Sequence, residues 1–226
     1  MYQVLCYNIY MSLRKVSFVP DEYYHIYNRG NSKQKIFHNQ HDYEHFMKLL
    51  YLANSNQTFI FREIKDIYEI ERKSQLVSIG AYCLMPNHFH LLLIEKEEGG
   101  ITKFMHKLST SYSMYYNKKY TRTGGLFEGK FQSEYLDSDQ YLKYIFSYIH
   151  LNPIKLIDPT WKEEGIKDFR KTLKFLEGYS LSSYNDYLGV NRKENVIINK
   201  EDFPNYFPTI KSFENEILEW INFKID

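Results

Sequence analysis

An α+β domain built on an antiparallel sheet is predicted for this 226-residue chain, and two patterns predict it. Stretches of period-two alternation and stretches with apolar residues every three or four positions succeed one another as strand, helix, paired strands, helix, strand. Turn-forming or charged residues separate them, and no internal repeat or low-complexity tract interrupts the series. That succession resembles a ferredoxin-like domain.

Tyr23 to Arg29 alternates as a strand and leads into a turn at Gly30-Asn31. His41 to Leu52 reads as an amphipathic helix, with Phe46, Leu49 and Leu50 on one face. Thr58 to Ile64 and Leu76 to Leu84 read as strand material, split by the charged segment Lys65 to Lys73, an exposed hairpin or loop. Met85 to Asn87 breaks the chain before a strand that runs to about Glu95. Ile101 to Tyr120 is the second helix and Phe131 to Leu136 the last strand. A third helix spans Asp139 to Leu151, where Tyr141, Tyr144, Ile145, Tyr148 and Ile149 recur at helical spacing. Asp137, Ser138 and Asp139 all suit its N-cap. Pro153 disfavours α geometry at Asn152, so the helix is expected to end there.

Two constellations carry chemistry. Met85-Pro86-Asn87-His88-Phe89-His90 precedes the apolar run Leu91 to Ile94. Side chains alternate along a strand, so His88 and His90 share a face and Phe89 takes the other. Two imidazoles so placed are half of a metal site. Taken alone, such a pair is commonly packed or solvated. About sixty residues on stands Tyr148-Ile149-His150-Leu151-Asn152-Pro153. Tyr148 and Asn152 are four apart and share a helical face, with Cβ atoms roughly 5–6 Å apart. An amide oxygen there would complete a two-histidine site; the competing reading makes Tyr148 a core residue and Asn152 a helix-ending one. With an ion held this way, a phosphodiester could be polarised and aligned for attack by a tyrosine. A phenol has an ordinary pKa of about 10, so a nearby cation is needed to favour the phenolate.

The strings AYCLMPNHFHLLL, LFEGKFQS and YLKYIFSYIHLNPIK resemble the HUH single-tyrosine transposases, nearest to the REP-associated tyrosine transposases and insertion-sequence enzymes. YYHIYNRGNSKQKIF is similar to that family's opening strand and turn, and EGYSLSSYNDYLG to its closing segment. The resemblance covers roughly residues 20 to 190. It implies an antiparallel ferredoxin-like sheet with the tyrosine helix docked near the His-x-His strand. It implies His88, His90 and Asn152 as metal ligands, Tyr148 as nucleophile, and Mg²⁺ or Mn²⁺ as the ion. It also implies single-stranded, hairpin-forming DNA as substrate and a 5′-phosphotyrosine intermediate. The resulting organisation is an N-terminal extension over 1–19, a catalytic domain over 20–158 and a C-terminal extension over 159–226.

Alternatives stay open at this level. Tyr112, Tyr115 and Tyr116 form a second tyrosine group, and Tyr112 with Tyr116 is another i, i+4 pair. Replication initiators share the present motif order, although no G-x-x-x-x-G-K-[ST] motif appears. A domesticated module that binds hairpins without cutting them is the non-enzymatic rival.

The net charge of +1 does not announce a nucleic-acid binder. From Thr102 to Lys130, however, six basic residues (Lys103, Lys107, Lys118, Lys119, Arg122, Lys130) face one acid, Glu128. Lys107, Lys118, Lys119, Arg122 and Lys130, with Arg29, are therefore candidate phosphate contacts. From Glu201 to Asp226 six acids face two lysines. Two cysteines, Cys6 and Cys83, build no disulfide framework, in keeping with a reducing cytoplasmic setting. No apolar stretch spans a bilayer, so no membrane partner is expected. Residues 1 to 12 lie outside the motif pattern, and Met11 is a candidate internal start. Homodimer and monomer are both compatible with the sequence. His25, His106 and His150 lie outside the motifs and read as structural.

Overall fold

The computed structural model describes residues 17–222, with side chains to residue 220. The candidate start at Met11, together with Cys6, lies outside the described residues. Four strands, β1 (Tyr23–Arg29), β2 (Val77–Met85), β3 (His88–Glu95) and β4 (Gln132–Tyr135), form one sheet in the order β2-β3-β1-β4. Every neighbouring pair is antiparallel. Helices α1 (Gln40–Ala53) and α2 (Gly100–Lys119) complete the β-α-β-β-α-β succession, so the ferredoxin-like expectation holds.

Alternation along the strands divides the core into two halves. Tyr24, Ile26, Phe89, Leu91 and Leu93 point to one face and pack under α1 and α2 with Phe46, Leu50, Phe104 and Leu108. Leu92 and Ile94 point to the other face, which is covered by α3 (Asp139–Leu151) and the C-terminal elements. Strand β2 changes parity midway: Ile79 pairs with Leu93 but Ala81 with Leu92, a bulge at Gly80. A Cβ at Gly80 would lie 2.6 Å from the Phe203 ring, so the bulged glycine also admits the C-terminal segment.

The C-terminal part is built from α4 (Trp161–Glu164), α5 (Phe169–Gly178), α6 (Tyr184–Tyr187) and α7 (Ile210–Asn222). Leu176, Tyr184, Phe203, Phe213 and Ile217 join Ala81, Cys83, Leu142 and Ile145 in one apolar cluster. Residues beyond 158 thus share a core with the sheet.

One element differs from expectation. Thr58 to Ile64 forms no strand, only a single 3-10 turn at Phe61–Glu63. The outer edge of β2, where a fifth strand would pair, is taken by other backbone: Leu84 donates to Leu181, Ser183 to Tyr82 and Asn199 to Ile79. Phe59, Phe61 and Ile64 instead pack on the α1–α2 side of the core. The charged segment after them is a loop with one 3-10 turn at Ile67–Glu69.

Local chemistry explains how the site-bearing elements start and stop. Ser138 caps α3, its side chain accepting from the Tyr141 N–H at 3.3 Å. The helix ends at Leu151, yet Asn152 keeps right-handed helical geometry (φ −52°, ψ −38°) despite the proline after it. The chain tightens there into a 3-10 turn, Asn152–Leu156, whose start tolerates Pro153 because no backbone donor is needed at that position. Pro86 and Asn87 form a two-residue turn between β2 and β3. It is strapped from outside, Gly30 donating to the Asn87 carbonyl and Ile36 to that of Pro86. Gly30 is required because a Cβ would meet the Gln34 carbonyl at 2.2 Å.

Candidate active site

His88 and His90 project from β3 toward α3, with ring centroids 5.0 Å apart. The Tyr148 ring lies across from them, 5.6 Å from His90 and 5.9 Å from His25. Asn152, one turn beyond Tyr148, is buried. Its Nδ2 donates to the Tyr148 carbonyl at 2.9 Å, beside the ordinary helical bond from its own N–H. The amide is thereby held one way round, and its Oδ1 is buried with no hydrogen-bond partner. An orphaned buried carbonyl oxygen costs on the order of 1–3 kcal/mol and calls for a partner.

Both histidines are held neutral. Burial, with Lys155 and Arg29 nearby, holds His88 down at about 4. Burial first, then the neighbouring His25 and His88, keeps His90 well below the usual imidazole range. Each has its Nδ1 occupied: His88 faces Asn87 Oδ1 at 2.7 Å, and His90 faces His25 Nε2 at 2.9 Å. The Nε2 atoms remain for other partners. Two neutral imidazoles and one unsatisfied amide oxygen fit a divalent cation with positions left for substrate oxygens. Among the described residues no group of three His, Cys, Asp or Glu is disposed to hold a metal; here the third donor would be an amide.

Tyr148 is half-buried, and that burial raises its phenol above its ordinary value. A cation sits against it. Lys162 of α4 places its Nζ 4.2 Å from the centre of the Tyr148 ring. Burial, followed by Lys155, brings the Lys162 ammonium down to about 8. Among the described residues Lys162 has no ion-pair partner.

The other tyrosine group is elsewhere. Tyr112 is fully buried among α1, α2 and the opposite sheet face, its hydroxyl donating to the Ile36 carbonyl at 2.6 Å. Tyr115 donates to Asp42 at 2.9 Å, and Tyr116 to the Lys35 carbonyl at 3.1 Å. These tyrosines tie the helix layer together.

The basic candidates divide. Arg29 stands at the end of β1 opposite His88 and pairs with Glu128. Lys130 is exposed in the loop that follows Glu128. Lys118 is exposed at the end of α2, whereas Arg122, just beyond it, is half-buried with its guanidinium 5.5 Å from the centre of the Tyr116 ring. Lys107 instead donates to the carbonyls of Ser55 and Gln57 at 2.5 and 2.7 Å. Lys119 pairs with buried Asp42 at 2.6 Å. The fold thus employs Lys107 and Lys119 as clamps on the side of the sheet away from the histidines.

Sequence reasoning missed two site residues. His25, read as structural, faces His90 inside the site; its strand parity with Tyr27 and Arg29 was visible, but the strand pairing that brings it to His90 was not. Lys162 lies beyond the recognisable motifs, and no spacing rule pointed to it. His150 is structural as expected, buried with Nε2 2.7 Å from Ser183 Oγ.

The fold and site together define a ferredoxin-like domain that presents an imidazole pair to a helix-borne tyrosine. The model of the family described as "Transposase IS200 like" matches residues 18–152, more than half of the chain, and the match includes His88, His90, Tyr148 and Asn152. The chain belongs to this IS200-like transposase family, the family its motif strings resemble. It is also similar to a solved structure of a REP-associated tyrosine transposase bound to a REP hairpin, at 12% identity and a TM-score of 0.46, over 81% of this chain and 90% of that one. No curated protein matches the chain. Among the described residues no helix is long and apolar enough to cross a membrane.

Proposed function

We propose that this protein is a tyrosine strand transferase of the REP-associated kind, which cleaves and rejoins single-stranded DNA at hairpin or repeat sequences. Tyr148 is the nucleophile, and His88, His90 and Asn152 hold Mg²⁺ or Mn²⁺. The observation that carries the reading is the orphaned Oδ1 of Asn152, one helical turn from Tyr148, whose ring lies 5.6 Å from that of His90.

The chemistry follows from these groups. Tyr148 Oη forms a bond to the phosphorus of the scissile phosphodiester as the bond from phosphorus to the 3′ oxygen breaks. The phenolic proton is given up, and the departing 3′ oxygen takes one up. A 5′-phosphotyrosine and a free 3′ hydroxyl result, and attack by another 3′ hydroxyl reverses the step and joins strands. A bound divalent cation supplies Lewis-acid charge at the phosphate. Lys162 places positive charge against the phenol ring, where it opposes the effect of burial on Tyr148. Asn152 and the helix backbone fix the tyrosine relative to the histidines, which serves in-line alignment. Arg29, Lys118, Arg122 and Lys130 remain as contacts for the DNA backbone.

The test uses purified protein, end-labelled single-stranded hairpin DNA and Mn²⁺, with Tyr148→Phe and a double His88→Ala, His90→Ala variant. The expected result is a covalent adduct on a denaturing gel that requires metal and is lost in both variants. An adduct that survives in Tyr148→Phe would move the nucleophile elsewhere. Tight hairpin binding with no adduct would mark a binding module instead.

A further inference from the structure

We propose that Glu134 and His25 form a relay that sets the tautomer and ring orientation of His90, making both of them positioning residues for the metal site. The inference rests on the reading of His90 as a ligand only for its consequence; the relay itself is a matter of hydrogen bonds between three named side chains.

The sheet assembles it. Glu134 on β4 lies directly opposite His25 on β1, and β1 in turn pairs with β3, which carries His90. His25 Nδ1 faces Glu134 Oε2 at 3.3 Å, and His25 Nε2 faces His90 Nδ1 at 2.9 Å. The two imidazoles are nearly parallel, with 17° between their planes, and both are buried. Glu134 is fixed by two further donors, Tyr27 at 3.2 Å to Oε1 and Tyr141 at 3.1 Å to Oε2. Tyr141 stands two helical turns before Tyr148 on α3, so the same carboxylate ties the tyrosine helix to the histidine strand.

An ionised carboxylate only accepts, so the His25 nitrogen that faces it carries the proton. In the proposed relay the one ring proton of His25 sits on the nitrogen facing Glu134, so Nε2 offers its lone pair to the other neighbour. Two facing ring nitrogens form a hydrogen bond only when one of them donates, so the proton between them belongs to His90 Nδ1. His90 Nε2 is left with its lone pair, the form a cation requires. An amide in place of the carboxylate removes the direction. Its NH₂ can donate to His25 Nδ1, which drives the His25 proton to Nε2, the His90 lone pair to Nδ1 and the His90 proton to Nε2.

The test reads ¹⁵N shifts of His90 in metal-free protein and, separately, Mn²⁺ affinity, in wild type, Glu134→Gln, Glu134→Asp and His25→Gln. The expected results are an Nδ1–H tautomer of His90 in wild type and a shift toward Nε2–H in Glu134→Gln. Mn²⁺ affinity is expected to fall roughly 10–100-fold in Glu134→Gln and His25→Gln, and to return at least in part in Glu134→Asp. Hairpin-DNA binding without metal should be unchanged. An Nε2–H tautomer in wild type would overturn the relay even if every variant failed to fold. A tautomer unmoved by Glu134→Gln would overturn it as well, whatever happens to metal affinity. If the tautomers behave as expected while wild type binds no Mn²⁺, the relay stands and the metal reading fails.

Discussion

Asn152 turns its amide nitrogen back to the carbonyl of Tyr148, 2.9 Å away, and so leaves its own oxygen buried without a partner. The nucleophile candidate and the candidate third ligand are therefore one rigid unit. In Asn152→Ala the helix keeps its backbone bond and the oxygen is gone. We expect the fold to persist, Mn²⁺ affinity to fall by roughly tenfold or more, equivalent to ~1.4 kcal/mol, and adduct formation at low metal to fall with it. Calorimetric titration with Mn²⁺ checks this, and an unchanged affinity would remove Asn152 from the ligand set.

Lys162 predicts a pH dependence of adduct formation. Its burial-lowered value of about 8 means the ammonium discharges as pH rises through that point. Loss of positive charge beside Tyr148 should slow adduct formation above about pH 8. Lys162→Arg, which stays charged, should carry its activity to higher pH than wild type, whereas Lys162→Ala should be slow throughout. A pH–rate profile of single-turnover cleavage checks the order of the three proteins.

His150 predicts a pH dependence of stability. Burial first holds it down at about 3, against about 6.5 for an unfolded histidine. Below pH 6.5 the unfolded chain therefore binds a proton that the folded chain refuses, and stability falls as pH drops from 6.5 toward 3. At pH 5 this one group costs roughly 2 kcal/mol. The drop in Tm between pH 7 and pH 5 should be smaller in His150→Gln than in wild type. Equal drops would show that His150 is not a source of the acid sensitivity.

Gly80 predicts an effect of the C-terminal segment on the whole fold. A methyl group there meets the Phe203 ring at 2.6 Å, across the edge where β2 is paired by residues 181–183 and Asn199. Gly80→Ala should cost about 1–3 kcal/mol by overpacking, and Phe203→Leu should restore part of it. Urea denaturation of the single and double variants checks the coupling, which would be absent if the segment packed independently.

Much of the fold was legible because burial acts locally through period. The alternation in Tyr23 to Arg29, the apolar run of the His strand and the helical spacing from Asp139 to Leu151 each report how a single element is buried, and the structure places elements there. Thr58 to Ile64 shows the limit. Phe59, Phe61 and Ile64 are partly buried against the core while Ile60 is exposed, and a strand needs a free edge, which distant residues 181–183 and Asn199 occupy. Asn152 shows another: the residue before proline was expected to leave helical geometry, and a 3-10 turn beyond it kept that geometry.

The same division holds in the site. The sequence by itself determined that His88 and His90 share a face of one strand and that Tyr148 and Asn152 share a face of one helix, because those relations depend only on the geometry of a single element. Only the tertiary structure decided that these two faces meet, that Tyr112 lies on the other side of the sheet, and that Lys107 and Lys119 are engaged by the fold. It alone brought Glu134, His25 and Lys162 to the site, since strand register and helix docking are set by contacts between residues far apart in the chain. No period within one segment records such contacts.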